Sequence, residues 1–457
     1  MTEFMNTETK DYSKFLGEVS DLASVDRKIE PKLYDKYNVK RGLRNADGTG
    51  VVVGITGVGD VRGYAIDDHD KVPIEGRLLY RGYDIYDIVN GCRRDNRFGF
   101  EECIFLLLTG TLPSKEQLAS FMEYLDDHRA LPYGFAEDMI MKAPSPSIMN
   151  KISRSVMSSY SYDENPDDVS IDNVVRQSLN LVAQLPTMTA YAYQTKTHYY
   201  DGKSLFLHSP QKGLSTSENL LYMIRPDSKY TRLEAEVLDL CLMLHAEHGG
   251  GNNSSFTIRV VTSSGTDTFA AVSSAINSLK GPKHGGANHK VTEMVNDIKE
   301  NISDWNDEEE LLNYLVKIMR KEAYDHSGLV YGMGHAVYTL SDPRAVLLKE
   351  KAEELAIVTG HEKEFKLYAN IEKLTPKAFE IVRGQSKIMC ANVDLYSGFV
   401  YSMLNIPTEL YTPIFAIARI GGWCAHRIEE LVVGKKIIRP AYKNISGSKH
   451  YTDIEAR

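Results

Sequence analysis

The stretch RLEAEVLDLCLMLHAEH, residues 232–248, decides the fold class. Leu233, Val237, Leu240, Leu244 and His248 recur at steps of three and four, which lines them along one face of a helix. The same period continues outward from it. DTFAAVSSAINSLKG starts at an Asp267 cap and stops at Gly281 and Pro282. DEEELLNYLVKIMRKEAY has acids in its first turn and bases in its last, as the helix dipole favours. DPRAVLLKEKAEELA has Asp342 as cap and Pro343 at the first helical position. TELYTPIFAIARIGGWCAHRIEELVVG is mostly apolar and reads as a buried helix broken or kinked near Gly421 and Gly422. Strand signal is confined to GTGVVVGITGVGDVRGYAI and RLLYRG, short glycine-punctuated runs that predict small hairpins near residues 50–82. Regular strand–helix alternation is absent, so the expected class is mainly α with a minor N-terminal β piece.

A chain of 457 residues is long for one core and suggests two domains, or one large domain with a smaller one inserted. The polar run DIKENISDWNDEEE, residues 297–310, separates helices of the smaller part. Boundaries near 284–290 and 390–397 enclose about a hundred residues, a usual domain size. The expected division is a large domain over 1–284, holding the N-terminal helix and the β piece, a small domain over 285–396, and the rest of the large domain over 397–457.

The apolar fraction of 42% and charged fraction of 25% are those of an ordinary globular chain. A net charge of −9 without a basic block argues against nucleic acid as a partner, but leaves room for a local arginine cluster that binds small anions. Cys92, Cys103, Cys241, Cys390 and Cys424 are scattered, with no CxxC pair, which fits a reducing compartment. The opening MTEFMNTETKDYSKFLGEVSDLAS is rich in acids and has no apolar signal core. No apolar run approaches the ~18 residues of a membrane span. The expectation is a cytoplasmic protein away from membranes.

Two motifs fall short. GVGDVRG, residues 57–63, spaces its glycines one residue too widely for a dinucleotide fingerprint. HAEH, residues 245–248, is HxxH rather than HExxH. Both histidines face one way on the expected helix, so a metal-dependent hydrolase using His245, His248 and a distant carboxylate is the alternative from another class. No further ligand stands at a familiar spacing, and no metal is expected.

Five places carry polar groups that packing alone does not explain. His248 ends an apolar helix face ahead of a glycine run; a core histidine at a helix C-terminus is the plain alternative. His284, in GPKHGGANHK, sits in a turn where backbone can approach a ligand closely; a solvated turn histidine is the plain alternative. In YGMGHAVYTLSDPR, Gly332 and Gly334 open the backbone beside His335 to a flat ligand. Arg344 falls in a first helical turn, where a cation meets the positive end of the dipole unless an anion binds there. Asp394, in CANVDLYSGFVYSML, is a base or an N-cap. Arg419 closes the apolar run IFAIAR with no acid in the local sequence to neutralise it. Arg439, in KKIIRPAYK, is less distinctive and reads equally as a solvated basic tail. Three arginines can hold a di- or tricarboxylate, a carboxylate can take a proton from carbon, and histidines can stabilise the resulting oxyanion.

The segments LHAEHGGGNNSSFTIRV, GPKHGGANHKV, GMGHAVYTLSDPRA, CANVDLYSG, FAIARIGGW and IIRPAYK resemble, in order and separation, those of the citrate synthase family. LLYRGYDIYDI and EECIFLLLTGTLPSKEQL match as well, and the resemblance covers roughly residues 40–445. It implies a helical large domain and a smaller one with the active site in the cleft between them, commonly in a homodimer. It implies condensation of acetyl-CoA with oxaloacetate; 2-methylcitrate synthase, which uses propionyl-CoA, shares every motif. By resemblance, Asp394 is the base, His284 holds the thioester oxygen, and His335 polarises the ketone. His248, Arg344 and Arg419 bind oxaloacetate, and Arg439 comes from the neighbouring subunit. Val330, Gly332 and Gly334 resemble the adenine-binding loop for CoA, and Lys387 is the one basic residue offered to the phosphates. CoA thioester enters as substrate, with no tightly bound cofactor. Four positions depart from the family pattern: Ala391, where proline is frequent, loosens the turn before Asp394; Gly249 replaces a glutamate; Met333 replaces an aromatic; and Thr339 is the fourth. Thr339 stands where some members carry arginine.

Overall fold

The computed structural model describes residues 13–24, 29–45, 48–67 and 70–456. The first twelve residues of the acidic N-terminal stretch therefore lie outside the described residues. The chain falls into two compact units, Met1–Gly54 with Arg439–Arg457, and Ile55–Ile438. In the first, the Ser13–Ser24 helix exposes Phe15, Leu16, Val19 and Leu22. Arg41 lies over the Tyr34 ring at 4.3 Å, and Lys443 over Tyr37 at 5.4 Å.

The second unit is built on helices, as the periodicity predicts. Its centre is the Tyr411–Val433 helix, whose Trp423, Arg419, His426 and Arg427 are all fully buried. A helix that is apolar nearly all round has no solvent face and must lie inside. It is continuous, so the expected break at Gly421 and Gly422 is corrected. The glycines serve close approach instead: a Cβ at Gly422 would stand 2.4 Å from the Ala246 carbonyl oxygen.

The Arg232–His245 helix is buried on almost every side from Val237 onward, rather than along one stripe. It ends three residues sooner than the sequence suggests, which leaves His248 in the following loop. The cause is long-range. The Tyr80 hydroxyl donates to the Met243 carbonyl at 2.8 Å and accepts from the Glu247 amide at 3.3 Å, pulling the chain off the helical path. The caps read from sequence stand: Asp267 accepts from the Ala270 amide at 2.8 Å and Asp342 from the Arg344 amide at 3.0 Å.

The β piece is an antiparallel three-stranded sheet in the order β1 (Gly59–Asp67), β2 (Asp70–Tyr80), β3 (Tyr83–Asp84). Gly59 pairs with Tyr80, and the register shifts between Arg62 and Tyr64. This sheet buttresses the segment that follows His335. The Gly76 amide donates to Ser341 Oγ at 3.1 Å, and a Cβ at Gly63 would stand 2.3 Å from the Val337 carbonyl oxygen. Gly59 and Gly63 of GVGDVRG thus answer to packing.

Candidate active site

Five segments within residues 55–438 carry the candidate groups. The first is the loop after His245. His248 leaves Nε2 buried without a protein partner, and its ring meets that of His335 edge-on at 5.2 Å. Burial, then the charge of Arg344, hold the His248 imidazole well below its usual range, so it is neutral.

The second segment is the turn between the Thr268–Lys280 and Ala287–Asn301 helices, which carries His284. The Gly285 amide donates to the Leu279 carbonyl at 3.0 Å, and Thr412 Oγ1 donates to the Gly285 carbonyl at 2.8 Å. His284 Nε2 lies 3.1 Å from Ser254 Oγ. That hydroxyl accepts from Trp423 Nε1 at 3.0 Å and has one proton to offer, to His284 or to Asn252 Oδ1 at 3.0 Å. Burial lowers the His284 pKa to about 4.

The third segment runs from Gly332 to Arg344. Gly332 and Gly334 both have positive φ, +82° and +83°, and at Gly332 a Cβ would meet the Leu395 Cα at 3.0 Å. His335 Nδ1 accepts from the amides of Val337 at 3.0 Å and Tyr338 at 3.1 Å. An Nδ1 that accepts carries no proton, so Nε2 bears the ring's N–H. Burial, reinforced by Arg344, lowers this imidazole to about 4, so it is a neutral donor near neutral pH. Arg344 is buried, and Asp342 engages its Nε at 3.0 Å and Nη2 at 2.7 Å. The anion that the sequence left unnamed beside this arginine is thus, in part, the capping aspartate itself. Burial alone would lower the Arg344 pKa; Asp342 more than reverses this and holds it fully charged.

The fourth segment carries Asp394 and is joined to the third. The Gly334 amide donates to Cys390 O at 2.7 Å, the Asn392 amide to Gly332 O at 2.9 Å, and Asn392 Nδ2 to Gly334 O at 3.0 Å. Ala391 sits in this ladder opposite Met333. Asn392, not Asp394, is the N-cap of the Val393–Met403 helix and accepts from the Asp394 amide at 3.0 Å. This frees the Asp394 carboxylate from capping. Burial raises its pKa to about 6 against the lowering pull of Arg344.

Arg419 approaches the same groups from the central helix. It is fully buried, its Nε donates to the His245 carbonyl at 2.6 Å, and its guanidinium lies over the Phe415 ring at 4.8 Å. Both Nη atoms are buried without a partner. Burial lowers its pKa to about 10, which still leaves it charged near neutral pH. Two unpartnered donors on one buried cation form a socket for an anion, as the local sequence suggested. Charge coupling links Arg344 to Asp394, His248 and His335, and links Arg419 to Arg344, His248 and His284.

A cavity of about 310 Å³ adjoins His335 and is lined by Val330, Gly334, Phe379, Arg383 and Lys387, among others. Gly332 lies behind this lining, against Leu395. Arg383, the last residue of the Glu362–Arg383 helix, is a cation that sequence reasoning missed, as were Ser254 and Trp423. Arg439 is exposed and begins the C-terminal part of the other unit. A second cavity, of about 480 Å³ and lined by Arg93, Glu236, Glu350 and Lys351, lies apart from these groups, with its cations already in ion pairs. His245 points its Nδ1 at the Cys241 carbonyl at 2.7 Å, and no set of three or more His, Cys, Asp or Glu side chains converges as metal ligands among the described residues.

Comparison with known proteins gives the family of the chain. The family model described as citrate synthase, C-terminal domain, matches residues 48–441. The citrate synthase of Haloferax volcanii is 34% identical over 390 residues, covering 84% of this chain and 93% of its own. The 2-methylcitrate synthase of Shewanella oneidensis is 32% identical over 376 residues, covering 81% and 90%. Among solved structures, citrate synthase from Pyrobaculum aerophilum superposes with a TM-score of 0.72 at 27% identity, covering 89% of this chain and 93% of that one. The ternary complex of the Thermoplasma acidophilum citrate synthase with carboxymethyl coenzyme A and oxaloacetate gives the same TM-score of 0.72 at 23% identity, a likeness of fold. On the family match across residues 48–441 and on these relatives, the chain belongs to the citrate synthase family.

Proposed function

We propose that this chain is a citrate synthase that condenses acetyl-CoA with oxaloacetate and releases citrate and CoA. It is an acyl-transferring enzyme of its family. The observation that carries the reading is a partnerless buried guanidinium, Arg419, coupled by charge to Arg344, which is coupled in turn to His335, whose Nε2 bears the ring N–H, and to Asp394, whose pKa burial raises. A keto-diacid fits these donors: Arg419, Arg344 and His248 take its carboxylates and His335 donates to its ketone oxygen.

Asp394 removes a methyl proton from the acetyl thioester, and His284 donates to the thioester oxygen as the enol forms. This needs the Nδ1–H tautomer of His284, which follows if Ser254 gives its proton to Nε2. The enol carbon adds to the ketone carbon of oxaloacetate, His335 Nε2–H stabilises the new alkoxide, and water then cleaves the citryl thioester. Val330, Gly332 and Gly334 form the turn that takes the adenine of CoA, and Arg383 with Lys387 supplies positive charge for its phosphates.

We place the small domain at residues 285–396 and the large one at 1–284 and 397–457, with the cleft between. Arg439 reaches the site of the other subunit of a homodimer. Five buried free cysteines and the lack, among the described residues, of any helix long and apolar enough to cross a membrane support a cytoplasmic setting. The test is thiol release with oxaloacetate and either acetyl-CoA or propionyl-CoA. A higher kcat/KM for acetyl-CoA is expected. Preference for propionyl-CoA would move the assignment to 2-methylcitrate synthase, and no release with either would overturn it.

A further inference from the structure

Glu247 is fully buried and touches none of the groups assigned above by hydrogen bond, yet it lies in their midst. Its Oε1 accepts from His426 Nε2 at 3.0 Å, and its Oε2 has no hydrogen-bond partner. Buried carboxylates are rarely left half-bonded. His426 Nδ1 accepts from Arg259, with Nε at 3.1 Å and Nη2 at 2.7 Å. A guanidinium only donates, so the ring must be the Nε2–H tautomer, and the Arg259–His426–Glu247 chain has one polarity. Arg259 is itself anchored by the carboxylates of Glu429 and Glu430. The whole chain is fixed from its outer end inward.

At the inner end, the negative charge of Glu247 raises the pKa of Arg419 against the effect of burial, without any bond to it. Asp342 treats Arg344 differently, taking two of its donors. The two arginines therefore have two kinds of counter-charge. A direct pair with Glu247 would consume the Nη groups of Arg419; Glu247 held back by His426 leaves both open. The same carboxylate sits one residue before His248, and the Gly249 amide, near it but outside hydrogen-bond geometry, further favours its ionised form. Arg81 and Tyr80 also face it, the first sharing its charge and the second bonding its backbone.

We infer that Glu247 is a positioning residue: anchored by His426, it fixes the loop that carries His248 and gives Arg419 a counter-charge that leaves both Nη groups free for the substrate carboxylate. The inference rests on the citrate synthase reading above.

Kinetics of four proteins test it. Glu247→Gln keeps the shape but removes the charge, and it turns an amide donor toward either His426 or the Gly249 amide. It is expected to raise the KM for oxaloacetate at least about tenfold, the scale of one unsatisfied buried donor, with the KM for acetyl-CoA within about threefold of wild type. His426→Gln can still donate to Glu247 and accept from Arg259, so it is expected to stay within about threefold of wild type in both constants. His426→Leu breaks the chain and is expected to match Glu247→Gln. If Glu247→Gln does not fold, the contrast between the two His426 variants decides. A Glu247→Gln enzyme with unchanged oxaloacetate KM, or with both KM values raised alike, overturns the inference, as do two His426 variants that behave the same. A wild type that releases no thiol sinks the functional reading and this inference together; a working wild type with any of those variant results sinks the inference alone.

Discussion

As the proposed base, Asp394 combines two demands that pull apart, since a base must be ionised to act and burial resists its ionisation. Its pKa is pushed up to about 6, and the imidazoles of His284 and His335 lie near 4. Near neutral pH the carboxylate is charged and both rings are neutral donors. kcat/KM for acetyl-CoA should therefore fall about tenfold per pH unit below about 6, governed by one group. A flat profile down to pH 5 would assign the proton transfer elsewhere. The stability effect has the opposite sense. A carboxyl whose folded-state pKa lies above its unfolded value loses stability as pH rises from the ordinary carboxylate range to about 6, because the folded protein holds the proton longer. Asp394→Asn should accordingly gain stability at neutral pH, on the order of 1 kcal/mol after allowance for partial exposure, read from a urea midpoint. A loss of stability would mean that the site is not strained by this charge. At this scale the sequence was informative wherever a residue violated its local surroundings. Arg419 ends an apolar run with no acid in its local sequence, and its two unpartnered nitrogens are the physical form of that violation. Ser254, Trp423, Glu247 and His426 gave no such signal. Serine and tryptophan near a helix are unremarkable until the partner is known, and Trp423 meets Ser254 from 169 residues away.

The elements hold these residues by contacts at close range. Gly422 lets the central helix touch the loop of His248, with the Ala246 carbonyl 2.4 Å and Glu247 Oε2 2.5 Å from where a Cβ would stand. Gly422→Ala should lower stability by about 1–3 kcal/mol and raise the KM for oxaloacetate, since the loop must shift to admit the methyl. An unchanged urea midpoint would show that the helix and loop are not in firm contact. Local chemistry was enough to read the Asp267 and Asp342 caps and most of the helices, because a cap and its helix lie within a few residues. It was not enough to place the end of the 232–245 helix, which Tyr80 sets from outside, or to see that Gly421 and Gly422 permit contact rather than a bend. The ladder joining residues 332–334 to 390–392 was equally hidden. It ties the loop of His335 to the cap of the Asp394 helix, so the proposed base and the proposed ketone donor belong to one mechanical piece.

At the scale of the whole molecule, the reading requires a second copy, because Arg439 is assigned to the neighbour's site. Arg439→Ala and Asp394→Ala should each be nearly inactive alone. Mixed in equal amounts under conditions that exchange subunits, they should recover about a quarter of wild-type activity, since half the dimers are hybrid and each hybrid rebuilds one of two sites. No recovery on mixing would confine Arg439 to its own subunit or remove it from the site.

All of this depends on the carboxylate of Asp394 acting as the base within reach of two neutral imidazoles and two buried guanidiniums. The most direct measurement pairs thiol release from acetyl-CoA with calorimetric binding of oxaloacetate, for wild type and Asp394→Ala. The expected result is a fall in turnover of about 10²–10⁴-fold with oxaloacetate affinity kept, because the variant loses the proton acceptor and spares the arginines. Near-normal turnover in the variant would contradict the account.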